Sequence, residues 1–165
     1  MNIILIGMPG SGKSTIGVVL AKLLGKHFCD TDLLLQKHCG KKLQEIIRTE
    51  GADAFFRYEE EVLSSLDCTD TVVATGGSAV YSDKAMQHLK ASGVCVYLKV
   101  DADEIARRLA NFSDRGVVIG DGMTIADLYA ERKPLYERYA DLTVSAEGGS
   151  VYDVAKAIAD KVEAR

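Results

Sequence analysis

A glycine-rich segment near the N-terminus, residues 7–14, fits the pattern G-x-x-x-x-G-K-[ST]. Glycines allow successive backbone N–H groups to curl around phosphate oxygens, and a helix N-terminus adds partial positive charge there. Lys13 can reach the outer phosphates of a nucleotide, and the Ser14 hydroxyl can ligate Mg²⁺. An apolar, β-branched run at residues 2–6 precedes the segment, and a helical pattern of apolar residues follows it from Ile16. This strand–loop–helix context predicts that the chain binds a nucleotide.

Two carboxylates, Asp30 and Asp32, follow a short segment at Phe28 and Cys29 that we predict to be the second strand. Residues in that position would face the phosphate-binding loop. One carboxylate can hold Mg²⁺ through its waters, while the other accepts a hydrogen bond from a hydroxyl that attacks a γ-phosphoryl group. Capping of a following helix by Asp30 or Thr31 accounts for the same residues. The residues alone leave both interpretations open.

The composition predicts one compact domain over residues 1–165, since 47% of the residues are hydrophobic, 27% are charged and only two are proline. The net charge is -4 and the basic residues are scattered, which argues against a nucleic-acid or acidic-membrane partner. The sequence has neither an apolar run as long as a membrane span nor a signal peptide. The chain has four cysteines and no C-x-x-C pair, which indicates reduced thiols and not disulfides. We therefore predict a cytoplasmic protein that does not bind a membrane.

The rest of the chain alternates between short apolar runs and helical patterns. The apolar runs occupy residues 71–75, 94–98 and 142–144, and the helical patterns occupy residues 33–66, broken near Gly40 and Gly51, and residues 84–91, 104–110, 126–139 and 151–163. This alternation predicts a parallel β-sheet with helices on both faces and ligands at the carboxyl ends of the strands. Residues 111–123 contain three glycines and no clear period, so we predict a mobile loop there.

Other classes of nucleotide-binding protein lack support in the sequence. Neither N-K-x-D nor D-x-x-G occurs in the chain, which argues against a GTPase. Motor ATPases usually carry an Asp-Glu pair directly after a long apolar strand, and no predicted strand ends in this way. Asp101 comes nearest, but the residues that follow it open a helix, so a capping role is the better interpretation.

Several segments together resemble the shikimate kinase family over almost the whole chain. They are the phosphate-binding loop, Asp30-Thr31-Asp32, Thr75-Gly76-Gly77, Arg115, and residues 132–141. The resemblance implies a three-layer α/β P-loop kinase fold with a five-stranded parallel sheet in the order 2-3-1-4-5. It also implies a monomer that uses ATP and Mg²⁺ to phosphorylate a hydroxyl of shikimate, giving shikimate 3-phosphate, in aromatic amino acid biosynthesis.

The resemblance also implies a role for each matching residue. ATP would be held by Gly10, Ser11, Gly12, Lys13, Ser14, Thr15, Arg108 and Arg115. Mg²⁺ would be held by Ser14 and Asp30. The acceptor site would be formed by Asp32, Phe56, Arg57, Gly76, Gly77, Ser78 and Arg132. Lys13, Asp32 and Arg115 would be catalytic: Asp32 would activate the acceptor hydroxyl, and Arg115 would close onto the phosphates from a lid near residues 111–123.

The arginines also have simpler interpretations. Arg115 could be an ordinary solvated charge in a loop, and Arg108 could lie beside Arg107 on a solvent-exposed face of a helix. Arg132 is different, because the positions three and four residues away on its helix offer no carboxylate partner. An arginine on an apolar stripe indicates a ligand, although Pro134 is expected to kink the helix at that point.

Three departures from the family pattern fall on the acceptor half. Phe56 stands where the family's carboxylate-binding arginine would be, and Arg57 lies one residue later, about 100° around a helix, where it could pair with Asp53, Glu60 and Glu61. Ser78 replaces a glycine and adds a side chain beside the acceptor ring, and the lid reads Arg-Gly-Val-Val instead of Arg-Pro-Leu-Leu. Losing one bidentate arginine contact costs about 1.5 to 3 kcal/mol, so shikimate is expected to bind weakly. A kinase for another small hydroxy acid or polyol, and a non-catalytic regulatory nucleotide-binding protein, remain as alternatives.

Overall fold

The computed structural model describes residues 1–110 and 117–165. Its centre is a five-stranded parallel sheet in the order β2-β3-β1-β4-β5, which confirms the order expected from the family resemblance. The strands are β1 (Asn2–Ile6), β2 (His27–Asp30), β3 (Thr71–Ala74), β4 (Gly93–Lys99) and β5 (Leu142–Ser145). At the middle of the sheet, Ile4 lies opposite Val73 on one side and Cys95 on the other. All five residues of β1 are buried, as an apolar central strand covered on both faces must be.

Seven α-helices connect and flank these strands in the described residues. They are α1 (Lys13–Leu24), α2 (Thr31–Cys39), α3 (Leu43–Ser64), α4 (Asp83–Ser92), α5 (Ala102–Ala110), α6 (Ile125–Tyr139) and α7 (Val151–Glu163), and a short 3-10 helix occupies Ala79–Tyr81. The last four agree with the helical patterns of the sequence to within two residues. None of the helices described is both long and apolar enough to cross a membrane.

Local sequence signals account for several helix boundaries. Gly40 ends α2 in the left-handed conformation (φ 64°), and Gly51 interrupts α3 with φ 86° and ψ 174°. Both breaks lie where the sequence predicted them. Helix α6 begins with a reciprocal capping box of Thr124 and Asp127, in which each side chain accepts from the other residue's backbone N–H. Helix α6 runs through Pro134 as one assigned helix, so the proline does not end it.

Two apolar clusters fix the elements around the sheet's carboxyl edge. The main core includes Tyr97 of β4 and Tyr136 of α6, whose rings stack at 5.2 Å and so hold α6 against the sheet. A smaller cluster of the buried residues Leu35, Ile46 and Phe55 joins α2 to α3. Burial of a side chain of this size is worth about 1.5 to 3 kcal/mol, so the α2–α3 pair has its own source of rigidity beside the predicted site.

Candidate active site

The phosphate-binding loop joins β1 to α1, as its sequence context predicted. Gly10 and Gly12 adopt φ of 80° and 95°, which side chains with a Cβ rarely tolerate. The ammonium of Lys13 donates to the carbonyl oxygens of Gly7 and Met8, both at 2.8 Å, and the residue is only 7% exposed. The first helical N–H groups of α1 and the Lys13 cation therefore converge on one small region, which suits the binding of a polyphosphate.

Ser14 and Asp30 form a direct pair across the loop. The Ser14 hydroxyl donates to Oδ2 of Asp30 at 2.6 Å, and Oδ1 of Asp30 accepts from the backbone N–H of Asp32 at 3.0 Å. One oxygen of Asp30 thus caps α2, which is one of the two interpretations that the sequence allowed. The other oxygen accepts the hydrogen bond from Ser14. The described residues contain no cluster of three or more His, Cys, Asp or Glu side chains suited to a metal. A hydroxyl and one carboxylate fit a Mg²⁺ ion that takes its other ligands from phosphate and water.

A cavity of about 620 Å³ opens between the phosphate-binding loop and the α2–α3 pair. It brings together most of the residues that we predicted from the sequence to bind the nucleotide or the acceptor. Those lining it are Gly10, Gly12, Lys13, Ser14, Thr15, Asp32, Gly76, Gly77, Ser78 and Arg132. Its remaining wall includes Lys42, Leu43 and Gln44 at the start of α3, and Val117 and Val118 beyond the undescribed segment.

Asp32 lies in the first turn of α2, beside Gly76. A Cβ at Gly76 would lie 2.9 Å from Oδ1 of Asp32 and 2.5 Å from Oε1 of Glu59. A glycine is therefore needed here so that two carboxyl groups can approach the backbone from one side. Asp32 also lines the cavity, where an acceptor hydroxyl could reach it.

Glu59 of α3 is a buried carboxyl group that sequence reasoning missed. Its Oε2 accepts a 2.6 Å hydrogen bond from the Ser78 hydroxyl, and its Oε1 has no hydrogen-bond partner among the described residues. Burial raises the pKa of Glu59 to about 7, with the charge of Asp32 adding to the rise, while the Ser78 hydrogen bond and the Arg132 charge lower it. The spacing of Phe55, Glu59 and Leu63 on one helix face was an available signal, because all three are buried.

Ser78 therefore serves a purpose that the sequence did not indicate. We expected its side chain to add bulk beside an acceptor ring. Ser78 does line the cavity, but its hydroxyl is directed to Glu59, as the 2.6 Å hydrogen bond shows.

Arg132 lies in α6 with only 1% of its surface exposed. Its Nε donates to the Tyr81 hydroxyl at 3.0 Å, its Nη2 donates to the Val118 carbonyl at 3.2 Å, and its guanidinium lies over the Tyr81 ring at 5.0 Å. Its Nη1 is the atom beside Gly77, where an added Cβ would lie 3.1 Å away. Within the described residues no carboxylate pairs with Arg132. A buried cation that faces a cavity and forms no ion pair within the described residues is suited to an anionic ligand.

Arg108 does not lie on a solvent-exposed helix face, so the interpretation of Arg108 as a solvated surface charge was wrong. Its Nη1 donates to the Gly10 carbonyl at 3.3 Å, its Nη2 donates to the Ala146 carbonyl at 3.0 Å, and its Nε donates to Glu104 at 2.8 Å. Arg107 is the solvated neighbour, with 77% of its side chain exposed. Arg108 therefore lies against the phosphate-binding loop, on the side opposite Asp32's helix.

Phe56 and Arg57 are not brought into the main cavity. Both line a separate pocket of about 310 Å³, and Phe56 packs edge-on against Tyr81 at 5.3 Å. Arg57 lies over the Tyr58 ring at 5.2 Å, and in the described part of the chain it forms none of the expected ion pairs with neighbouring acids. Arg115 lies outside the described residues.

Comparison with known proteins agrees with this geometry. A family model described as shikimate kinase matches residues 9–163. The shikimate kinase of Chlorobium chlorochromatii is 37% identical over 172 residues, covering 98% of this chain and 90% of that protein. That of Mycobacterium avium is 42% identical over 144 residues, covering 86% of this chain and 81% of that protein.

Solved structures give the same result. Shikimate kinase from Acinetobacter baumannii, solved in complex with shikimate, superposes with a TM-score of 0.88 at 30% identity, covering 99% of this chain and 93% of that one. Shikimate kinase from Aquifex aeolicus superposes with a TM-score of 0.85 at 30% identity, covering 99% of this chain and 96% of that one. The chain therefore belongs to the shikimate kinase family of ATP-dependent small-molecule kinases.

Proposed function

We propose that this protein transfers the γ-phosphoryl group of ATP to a hydroxyl of shikimate, giving shikimate 3-phosphate and ADP. The observation that carries the proposal is the position of Arg132, a buried cation that faces the same cavity as Asp32 and the phosphate-binding loop. A cation at one end and a carboxylate beside the phosphate site suit a molecule that carries both a carboxylate and a hydroxyl. The relatives named shikimate kinase, and the neighbour solved with shikimate, support this choice of acceptor.

On the nucleotide side, the backbone N–H groups from Gly10 to Thr15 and the Lys13 ammonium bind the phosphates. Arg108 fixes the Gly10 carbonyl and so the shape of the loop. Ser14 and Asp30 would hold Mg²⁺ through the hydroxyl and one carboxylate oxygen. When bound, Mg²⁺ supplies charge neutralisation between the outer phosphates.

On the acceptor side, Arg132 binds the carboxylate through Nη1, and Asp32 accepts a hydrogen bond from the reacting hydroxyl. The hydroxyl oxygen then forms a bond to the γ-phosphorus while the bond from that phosphorus to the bridging oxygen breaks and ADP leaves. The hydroxyl proton passes to Asp32. Because this reaction depends chiefly on positioning and charge stabilisation, no covalent enzyme intermediate is required.

The remaining roles follow from the family. Arg115 closes onto the phosphates from the lid as a catalytic residue, and the protein acts as a cytoplasmic monomer in aromatic amino acid biosynthesis. Four free thiols, those of Cys29, Cys39, Cys68 and Cys95, are compatible with a reducing compartment.

The test is an ADP-release assay with Mg-ATP and shikimate, with a no-acceptor reaction as control. We expect ADP release that depends on shikimate, together with formation of a phosphate monoester. The phenylalanine at position 56 favours one alternative, a different small hydroxy acid, so the panel should include other hydroxy acids and polyols. Thermal stabilisation by Mg-ATP without ADP release from shikimate would favour that alternative or a regulatory protein. No response to Mg-ATP at all would refute the proposal.

A further inference from the structure

The acceptor end of the cavity offers few donors for a carboxylate. Arg132 donates from Nε to Tyr81 and from one N–H of Nη2 to the Val118 carbonyl, and Nη1 is the nitrogen that lies beside Gly77. A carboxylate has two oxygens and about four positions that accept hydrogen bonds. Phe56 is directed to Tyr81 in a separate pocket and contributes no donor. A carboxylate bound by Arg132 could therefore accept from a second cation of the cavity wall as well.

Lys42 is a charged residue of this cavity wall whose side chain has no other interaction within the described residues. It lines the cavity together with Asp32, Gly77 and Arg132, and its side chain is exposed. Within residues 1–110 and 117–165 that side chain forms neither a hydrogen bond nor an ion pair. Its neighbour Lys41 differs on both counts, because it does not line the cavity and it pairs with Glu50 at 2.6 Å.

The local backbone gives no reason for a lysine at this position. Lys42 is the N-cap residue of α3 and makes no side-chain capping hydrogen bond. N-cap positions favour Ser, Thr, Asp and Asn, whose oxygens accept from the first helical N–H groups. A cation is also unfavourable at the positive end of the helix dipole. A residue that opposes two local preferences and faces a cavity is typical of a functional position.

Lys42 lies beyond the C-terminal end of α2, whereas Asp32 lies at its N-terminal end. Asp32 is the second of the nine residues of α2, and the seven that follow it, residues 33–39, separate it from the loop that carries Lys42. At 1.5 Å per residue Asp32 lies on the order of 10 Å from the end of α2 along the helix axis. Val118 connects this wall to Arg132, because it packs with the cluster of Leu35, Ile46 and Phe55 and accepts from Nη2 of Arg132.

We propose that Lys42 is a specificity-determining residue whose ammonium binds the carboxylate of the acceptor together with Arg132. This role rests on the proposed function and names the second cation of the same site. It explains how the chain recognises a carboxylate although Phe56 replaces the arginine expected from the family. The proposal concerns binding and not chemistry, so Lys42 acts on the acceptor's KM and not on the phosphoryl transfer step.

The test uses Lys42→Ser, which removes the cation and restores a residue that can cap α3. We expect the KM for shikimate to rise about tenfold, as for the loss of one charge-assisted contact, with kcat and the KM for ATP unchanged. The melting temperature should be unchanged or higher, because the new hydroxyl can cap the helix. A raised KM in a variant of equal or greater stability is not explained by misfolding.

Two controls separate a carboxylate contact from a general effect. Lys41→Ser makes the same change at a lysine outside the cavity and should leave the KM for shikimate unchanged. With the methyl ester of shikimate, which keeps the hydroxyls but lacks the negative charge, Lys42→Ser should change kcat/KM little. The preference of the protein for shikimate over the ester should therefore fall about tenfold in Lys42→Ser.

The outcomes distinguish this inference from the proposed function. If the wild-type protein phosphorylates shikimate and Lys42→Ser does so with the same KM, the role of Lys42 is refuted and the kinase activity stands. An equal loss with shikimate and its ester also refutes it, because the effect would not depend on the carboxylate. If the wild-type protein does not phosphorylate shikimate at all, the proposed function fails and this role fails with it.

Discussion

The buried carboxyl group of Glu59 predicts an unusual dependence of stability on pH. Burial raises the pKa of Glu59 to about 7 in the folded protein, against an ordinary value of 4.5. The folded state then binds more protons than the unfolded state between these two values, so the stability conferred by Glu59 is full below pH 4.5 and is lost as pH rises through 7. Charged groups from three helices also shift the pKa of Glu59, namely Asp32 of α2, Arg132 of α6 and Lys13 of α1.

The perturbation is Glu59→Gln, which removes the titration and keeps an oxygen that can accept from Ser78. Each pKa unit corresponds to about 1.4 kcal/mol, so between pH 5 and pH 8 the wild-type protein should lose about 2.5 kcal/mol of unfolding free energy relative to the variant. For a chain of this size that difference corresponds to about 5 to 10 °C in melting temperature.

The assay is reversible thermal or denaturant unfolding of both proteins at several pH values from 5 to 8. Glu45→Gln provides a matched control, because Glu45 is an exposed residue in the same helix. We expect the difference between Glu59→Gln and wild type to change with pH in favour of the variant as pH rises, and to do so by more than the Glu45→Gln difference does. Parallel pH profiles for wild type and Glu59→Gln would refute the assignment of a raised pKa to this carboxyl group.

Three further predictions concern the reaction. Asp32→Asn should lower kcat about 10²- to 10⁴-fold in the ADP-release assay while ATP affinity, measured by titration, stays nearly unchanged; equal turnover would remove Asp32 from the mechanism. Arg132→Met should raise the KM for shikimate at least tenfold with a smaller effect on the KM for ATP, because its guanidinium faces the cavity without a carboxylate partner in the described chain; an unchanged KM would make Arg132 structural. Removal of Mg²⁺ with a chelator should abolish turnover, and Ser14→Ala should raise the Mg²⁺ concentration needed for half-maximal rate; an unchanged Mg²⁺ requirement would exclude Ser14 as a ligand.

The sheet order and the nucleotide half of the site could be predicted because their signals are local or come with the family pattern. The loop motif lies between a buried strand and an amphipathic helix, and its glycines adopt the left-handed φ values that their positions require. The boundaries of α6 and α7 follow from capping residues that can be read from the sequence, Thr124 with Asp127 and Ser150 with Asp153.

The acceptor half was harder to predict because its contacts join residues far apart in the chain. The partner of Ser78 is Glu59, on a helix whose direction is set by the break at Gly51. Phe56 and Arg57 follow this break, and both line a separate pocket. Helical spacing could place Arg57 about 100° from Phe56, but it could not show that both residues line a pocket outside the main cavity.

Arg108 has a consequence for how the molecule is assembled. Its guanidinium bonds to the Gly10 carbonyl, 98 residues away in sequence, and to the Ala146 carbonyl just after the edge strand β5. A planar guanidinium holds these two oxygens at a fixed separation. The segment that follows the last strand thus shares with the N-terminal motif a single guanidinium, that of Arg108. A fragment truncated before β5 would retain every residue of the motif and Arg108 itself, but it would lack the Ala146 carbonyl that accepts from the same guanidinium.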